Sequence, residues 1–251
     1  FLMICMISVM LPRAAVSAER VDEVLKSETK IHDPKEPKTL PKNGKGEVAF
    51  EHVSFHYPGA EEDVLHDITF TAKPGETTAF IGSTGCGKST LVNLIPRFYD
   101  VTEGKITIDG QDVRDLTQHE LRDKLGYVPQ KGVLFSGNIA SNIMFGNPAG
   151  SEQEMTEAAQ IAQAVEFIDT KPERYKSPIS QGGANVSGGQ KQRLSIARAI
   201  AKHPDVYIFD DSFSALDYKT DTVLRSALKE KTTDRRLDRM IGRRALLVGS
   251  A

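Results

Sequence analysis

Hydrophobic positions change character along the chain. Phe1 to Leu11 is almost wholly apolar and runs into Pro12 and Arg13. From Ala14 to Glu28 the apolar residues thin out. Ala18, Val21, Val24 and Leu25 recur at helical spacing, with Glu19, Arg20, Glu23 and Lys26 on other faces, so a helix is expected there. Ser27 to Lys45 is rich in proline and lysine and reads as a tether. Beyond Gly46 the period shortens. Val48, Phe50, Val53 and Phe55 alternate with polar residues over Glu47 to Tyr57, as in a half-buried strand. Ile68 to Thr71 and Gly104 to Asp109 are further short strands, and Lys73 to Glu76 is a turn. Thr77 to Ile81 and Val206 to Phe209 are short apolar runs that predict buried strands. Helices are expected over Glu152 to Phe167, Lys191 to Lys202 and Thr222 to Lys231. Apolar strands alternating with helices predict an α/β fold, with a largely parallel, covered sheet and an added antiparallel portion.

The apolar start has three readings: the end of a transmembrane helix, a signal-peptide core, or a buried helix. A full span needs about 20 apolar residues. A signal peptide carries its basic residues first, whereas Arg13 comes after the apolar run, as at a cytoplasmic flank. The reading adopted is the end of a transmembrane helix. The first residue is Phe1, and the 251 residues are expected to be a piece of a longer protein. Net charge is −2 and the pI is near 6.4, so no general pull toward nucleic acid is expected. The two cysteines, Cys5 and Cys86, form neither a disulfide framework nor a metal-ligand spacing.

Against this background one segment stands out chemically. Gly82-Ser83-Thr84-Gly85-Cys86-Gly87-Lys88-Ser89-Thr90 fits G-x-x-x-x-G-K-[ST]. It follows the Thr77–Ile81 run and precedes Leu91, Val92, Leu94 and Ile95 at helical spacing. Strand, glycine loop and helix form the context in which such a loop cradles phosphates with backbone N–H groups and a helix N-terminus. Lys88 is expected at the β- and γ-phosphates of a nucleotide, and the Ser89 hydroxyl on Mg²⁺. Asp210, at the end of the second apolar run, is either a helix cap or the acid that holds Mg²⁺ opposite Ser89. Beside the phosphate loop the metal role is the stronger reading. Val186-Ser187-Gly188-Gly189-Gln190 opens a helix with two glycines. Either it is flexible punctuation, or that helix end grips a nucleotide held by another subunit.

Together these motifs resemble the ATP-binding-cassette transporter family. Gly82 to Thr90 is similar to its Walker A motif, and Val186 to Gln190 to its signature motif. The resemblance implies a P-loop NTPase with a RecA-like core, an antiparallel β subdomain, and an inserted α-helical subdomain at about 135–200 carrying the signature. It makes Tyr57 the aromatic that stacks on adenine. Gln130 in Tyr127-Val128-Pro129-Gln130 becomes the glutamine that contacts Mg²⁺ and senses the γ-phosphate. Asp210 ends the Walker B motif, and Ser214-Ala215-Leu216-Asp217 is the loop that crosses a dimer interface. Residues 1–26 resemble the last transmembrane helix of an exporter and its cytoplasmic extension, 27–45 a linker, and 46–251 the nucleotide-binding domain.

Several positions depart from the family pattern. Asp211 stands where a glutamate usually polarises the attacking water, which resembles the degenerate half of a heterodimeric exporter. Gln181 stands where many exporters carry a glutamate facing the coupling helices. Ser187, Gly188, Gly189 and Gln190 are intact, and are expected to complete the partner's ATP site. All six histidines lie at or before His203, so the family's switch histidine has no counterpart. Arg235, Arg236, Arg239, Arg243 and Arg244 crowd the tail, 232–251. Ala245 to Val248 has the composition of a late strand but lies too far along. The expectation is a frameshifted or truncated reading frame with the last strands lost; a genuine variant tail is the alternative.

The function implied is that of an ATP-binding and hydrolysing domain. With Mg²⁺ and a second half-transporter it would power efflux of a small molecule, drug or lipid. It would lie on the cytoplasmic side of the cell membrane, without nucleic-acid partners. Lys88, Gln130 and Asp211 are the expected catalytic residues, and Ser89, Gln130 and Asp210 the metal contacts. The chain by itself is expected to hydrolyse ATP weakly or not at all. The alternatives are a soluble ATPase of the same type acting on nucleic acid or ribosomes, and a non-functional fragment.

Overall fold

The structure is a computed structural model that describes residues 1–41, 44–214, 216, 218–233 and 245–250. It divides into two units, Phe1–His32 and Asp33–Ala251. The first is a single helix, α1 (Leu2–Leu25), that carries Pro12 inside it. The apolar run and its polar continuation therefore form one element, long and apolar enough by composition to cross a membrane.

The second unit begins as an antiparallel sheet. Strands β1 (Val48–Phe55) and β2 (Leu65–Ala72) pair with Phe50 opposite Phe70, and those rings stack at 4.6 Å. Strand β3 (Thr77–Ile81) leads into helix α2 (Lys88–Leu94). Strands β4 (Glu103–Ile108) and β5 (Gln111–Asp112) complete the antiparallel sheet in the order β2-β1-β4-β5. The β1/β4 register shifts between Glu51 and Ser54. There Gly104 has φ 74°, and a Cβ on it would lie 2.3 Å from the Glu51 and His52 carbonyl oxygens, so the crossing requires glycine.

Helix α3 (Gln118–Asp123), capped by Thr117, leads to strand β6 (Leu125–Val128). A helical layer follows. Strand β7 (Gly137–Asn138), α4 (Ile139–Ile143), α5 (Glu152–Ile161), α6 (Val165–Asp169), strand β8 (Pro178–Ile179) and α7 (Gly188–Ala201) lie within or near the span expected for it. The helix expected over Glu152 to Phe167 is two helices. Gln163 turns at φ 54°, a conformation no glycine announces. Strand β9 (Val206–Asp210), helix α8 (Tyr218–Thr233) and strand β10 (Ala245–Ser250) close the described chain.

The second sheet is parallel, in the order β3-β10-β9-β6. Every residue of β9 is buried, and its two faces serve different cores. Val206 and Ile208 pack with α2 and the antiparallel sheet, while Tyr207 and Phe209 pack with the helical layer. Burying such a side chain contributes about 1.5–3 kcal/mol. Burial on both faces explains the unbroken apolar run, and it fixes where Asp210 emerges.

Three expectations need correction. Strand β3 is not buried: it is the edge of its sheet, and its residues alternate between exposed and half-buried. The tether expected over 27–45 is docked from Asp33 onward. The Asp33 carboxylate accepts from the Gln118 backbone N–H at 2.8 Å. Lys38 donates its ammonium to Asp115 at 2.8 Å and its N–H to the Asp115 carbonyl, and the Leu40 N–H donates to Glu120. Leu40 itself is buried. Lastly, the tail has not lost its strand. Ala245–Ser250 forms β10 between β3 and β9, with Leu246 opposite both Thr77 and Tyr207. An apolar run of that length fits a slot paired on both edges.

Candidate nucleotide-binding site

The phosphate loop is shaped by two glycines in left-handed backbone, Gly85 (φ 87°) and Gly87 (φ 90°). Gly87 is also the residue from which α2 starts. A Cβ on Gly82 would come within 2.6 Å of the Cys86 sulfur, whereas Gly85 faces open space. The Lys88 ammonium folds back across the loop and donates to the Gly82 and Ser83 carbonyls at 2.7 and 2.9 Å. Ser83, Thr84, Cys86 and Ser89 are exposed, and Thr90 is buried.

At the loop's far end the Ser89 hydroxyl donates to Asp210 Oδ1 at 2.7 Å. Parallel strand β9 delivers that carboxylate, which is only 6% exposed. Tyr127, on the neighbouring strand β6, donates its hydroxyl to Asn93 Oδ1 at 2.8 Å. Burial, reinforced by the negative charge of Asp210, pushes the Tyr127 phenol well above its ordinary range and keeps it neutral.

Asp211 follows at φ 44°, outside the strand. Its carboxylate accepts from Gln130 Nε2 at 3.2 Å. Ser212, fully buried, donates to the Val128 carbonyl at 2.8 Å and ties this turn to the end of β6. The expected metal contacts and Asp211 thus meet as two pairs, Ser89 with Asp210 and Gln130 with Asp211.

Tyr57 lies just past β1, half-buried, and its hydroxyl shares a 2.9 Å hydrogen bond with Thr90. Its ring stands edge-on to Phe55 and Tyr99, at 5.0 and 5.2 Å. Tyr99 is a supporting residue that the motifs do not mark.

The signature residues stand apart. Ser187 caps α7 in a capping box: its Oγ accepts from the Gln190 N–H, and Gln190 Oε1 accepts from the Ser187 N–H. No hydrogen bond joins Ser187–Gln190 to the phosphate loop among the described residues. Ser187 and Gly188 are exposed, with open space around Gly188. Ser214 donates to the Asp211 carbonyl; Ala215 and Asp217 of the same expected loop lie outside the described residues.

Sequence reasoning missed Gln192. Its side-chain amide is 1% exposed and bonds both flanks of Gln130, accepting from the Gly132 N–H at 2.9 Å and donating to the Pro129 carbonyl at 3.1 Å. The signal was present in the helical period: residue 192 falls in line with the buried residues 195, 196, 199 and 200 of α7, and a glutamine there must find polar partners.

The chain is similar to known proteins over most of its length. Residues 65–214 match the ABC transporter family. An uncharacterized ABC transporter ATP-binding protein of Mycobacterium tuberculosis is 46% identical over 236 residues, 93% of this chain and 40% of that protein. A Staphylococcus aureus protein named for multidrug export, an ATP-binding/permease protein, is 44% identical over 76% of this chain and 33% of its own length. The solved structure of a bacterial Atm1-family ABC exporter with ATP bound superposes with a TM-score of 0.82 at 32% identity, covering 98% of this chain and 41% of that one. The chain therefore spans well under half the length of these relatives. With its phosphate loop joined to the acid that ends β9, and its match across the central 150 residues, the chain belongs to the ABC transporter family as a P-loop ATP-binding domain.

Proposed function

We propose that this domain binds MgATP and, within a longer protein, powers efflux of a small molecule, drug or lipid across a membrane. The observation that carries the reading is the Ser89–Asp210 contact at 2.7 Å beside the Lys88-crossed loop. Mg²⁺ is commonly held by one or two carboxylates together with substrate phosphates, without a protein cage. A serine hydroxyl, the Asp210 carboxylate and the Gln130 amide oxygen are hard oxygen donors suited to it. Phosphate oxygens would replace the Gly82 and Ser83 carbonyls as acceptors for Lys88. Adenine would stack on Tyr57. The bound Mg²⁺ would neutralise charge developing on the phosphoryl group.

The export reading is supported by α1, apolar enough to span a membrane and joined to the domain in one chain, and by the names of the relatives. The intact Ser187–Gln190 helix end supports a dimer in which each ATP lies between one chain's loop and the other's signature. Asp211 in place of glutamate favours a heterodimer whose poorly hydrolysing site is this chain's own. The domain would then face the cytoplasm.

Inside-out vesicles carrying the full-length protein and its partner should accumulate a lipophilic dye when supplied with ATP, and should fail to do so with Lys88→Ala. Nucleotide turnover stimulated by RNA, from protein that stays in the aqueous fraction, would refute the export reading. Cys86 offers a binding test. Its thiol is exposed and 3.7 Å from the Lys88 ammonium. Maleimide should label it, and saturating MgATP should slow labelling about tenfold or more if nucleotide fills the loop. Labelling indifferent to nucleotide would contradict the placement.

A further inference from the structure

Gln130 sits on a loop that hangs from α7 at three successive turns. Gln192 ties down both flanks of Gln130 through Gly132 and Pro129. One turn on, the helix packs directly on Gly132. A Cβ there would lie 2.8 Å from Ser195 Oγ and 2.9 Å from the Lys191 carbonyl oxygen, so only glycine allows the approach. A further turn on, Arg198 donates to the Val133 carbonyl at 2.9 Å, and its guanidinium lies 5.0 Å from the Phe135 ring centre. Arg198 also donates to Asn142 Oδ1, which accepts from the Phe135 N–H as well. Segment 129–135 is therefore bound to α7 along its length.

We propose that Gln192 is a positioning residue: it makes Gln130 move with α7, so that the helix whose N-terminus meets the partner's nucleotide also sets the metal contact in this chain's own site. This inference rests on the MgATP reading above. Gln192 touches neither nucleotide nor metal. It acts through the backbone on both sides of Gln130, and Gln130 in turn reaches Asp211. The link is short and buried, with few rotatable bonds between the helix axis and the Gln130 backbone. A shift of α7 driven by one nucleotide would be transmitted to the other site as a displacement of Gln130.

The test is ATP binding to the purified full-length transporter, measured in EDTA and in Mg²⁺. Gln192→Met keeps the volume, leaves the Gly132 N–H without its side-chain partner, and leaves the Pro129 carbonyl with only the longer bond from the Ser212 hydroxyl at 3.5 Å. It should leave ATP affinity in EDTA within about twofold of the parent, while reducing the gain that Mg²⁺ confers by about tenfold, the scale of one buried hydrogen-bonding group left unpaired. In a Gln130→Ala background the same substitution should have no further effect on that gain. Gln192→Glu keeps the acceptor for Gly132 and loses the donor to Pro129. It should fall between parent and Gln192→Met, and it supplies the measurement if the Met variant does not fold. An unchanged Mg²⁺ gain, or equal losses with and without the Gln130 side chain, would overturn the proposal, because Gln192 would then be a structural amide only. Lys88→Ala separates the two levels: if it binds ATP in EDTA like the parent, the nucleotide reading fails and this inference with it. If it loses binding while Gln192→Met is silent, only the positioning role falls.

Discussion

Replacing Lys88 by alanine should lower ATP affinity by roughly ten- to a hundredfold or more, while the fold stays intact. The ammonium bridges two loop carbonyls, at 2.7 and 2.9 Å, and these are the acceptors that phosphate oxygens would displace. Hydrogen bonds to charged groups contribute about 1.5–3 kcal/mol each, and more than one is at stake. Little stability is at risk. Lys88 is the first residue of α2 and only half-buried, and alanine is a good helix former. Titration calorimetry would read the affinity and circular dichroism the fold. Equal affinity in the two folded proteins would remove Lys88 from the phosphate site.

The second large effect concerns how turnover would divide between the two sites of the proposed dimer. In a full-length heterodimer, Ser187→Arg should reduce steady-state ATPase activity by about a hundredfold. Asp211→Asn should reduce it by no more than about twofold. In the proposed dimer, an arginine at the exposed Ser187 would put a bulky cation where the end of α7 would approach the partner's γ-phosphate, and productive geometry tolerates little misplacement. It also removes the capping box, at a stability cost of about 1 kcal/mol, too small to explain such a loss. Asp211 is one methylene shorter than the usual glutamate, about 1.5 Å less reach. One of its oxygens is already engaged by Gln130 at 3.2 Å. A carboxylate so placed is expected to contribute little to water activation, so its removal should change little. The opposite pattern, severe loss from Asp211→Asn with normal turnover in Ser187→Arg, would exchange the roles of the two sites. Equal and severe losses would point to two competent or tightly coupled sites.

Features that depend on local chemistry were readable from the chain alone. The phosphate loop was legible because Gly85 and Gly87 supply its left-handed backbone and Lys88 and Ser89 its polar contacts. Asp210 was visible because β9 is buried on both sides, and its apolar run stops at the first residue that must reach the site. Features set by topology were not readable. Thr77–Ile81 has the composition of a core strand, yet it lies at a sheet edge, and edge position is decided by which strands pair. The docked stretch from Asp33 to Leu40 is held mainly by hydrogen bonds and one ion pair to residues 115–120, and polar composition alone does not distinguish a bound strap from a free one. Gln163 breaks a helix without a glycine or proline to announce it. Strand β10 was discounted on sequence spacing, but a parallel strand can be reached by a long connection, and its own apolar run was the better guide.

The position of β10 also bears on how the domain is made. Synthesis runs from the N-terminus, and the antiparallel sheet needs only residues 48–112. The parallel sheet is different, because its second position is filled by residues 245–250, which emerge after every strand they touch. Until then β3 and β9 cannot be joined through it, and each presents an unpaired backbone edge to the crowded surroundings of the ribosome. The phosphate loop hangs from one of those edges and Asp210 from the other. Nascent chains would thus carry the halves of the ATP site before the strand that aligns them exists, so nucleotide binding waits on residues 245–250, and the interval before they pair is the period of greatest exposure to misassembly.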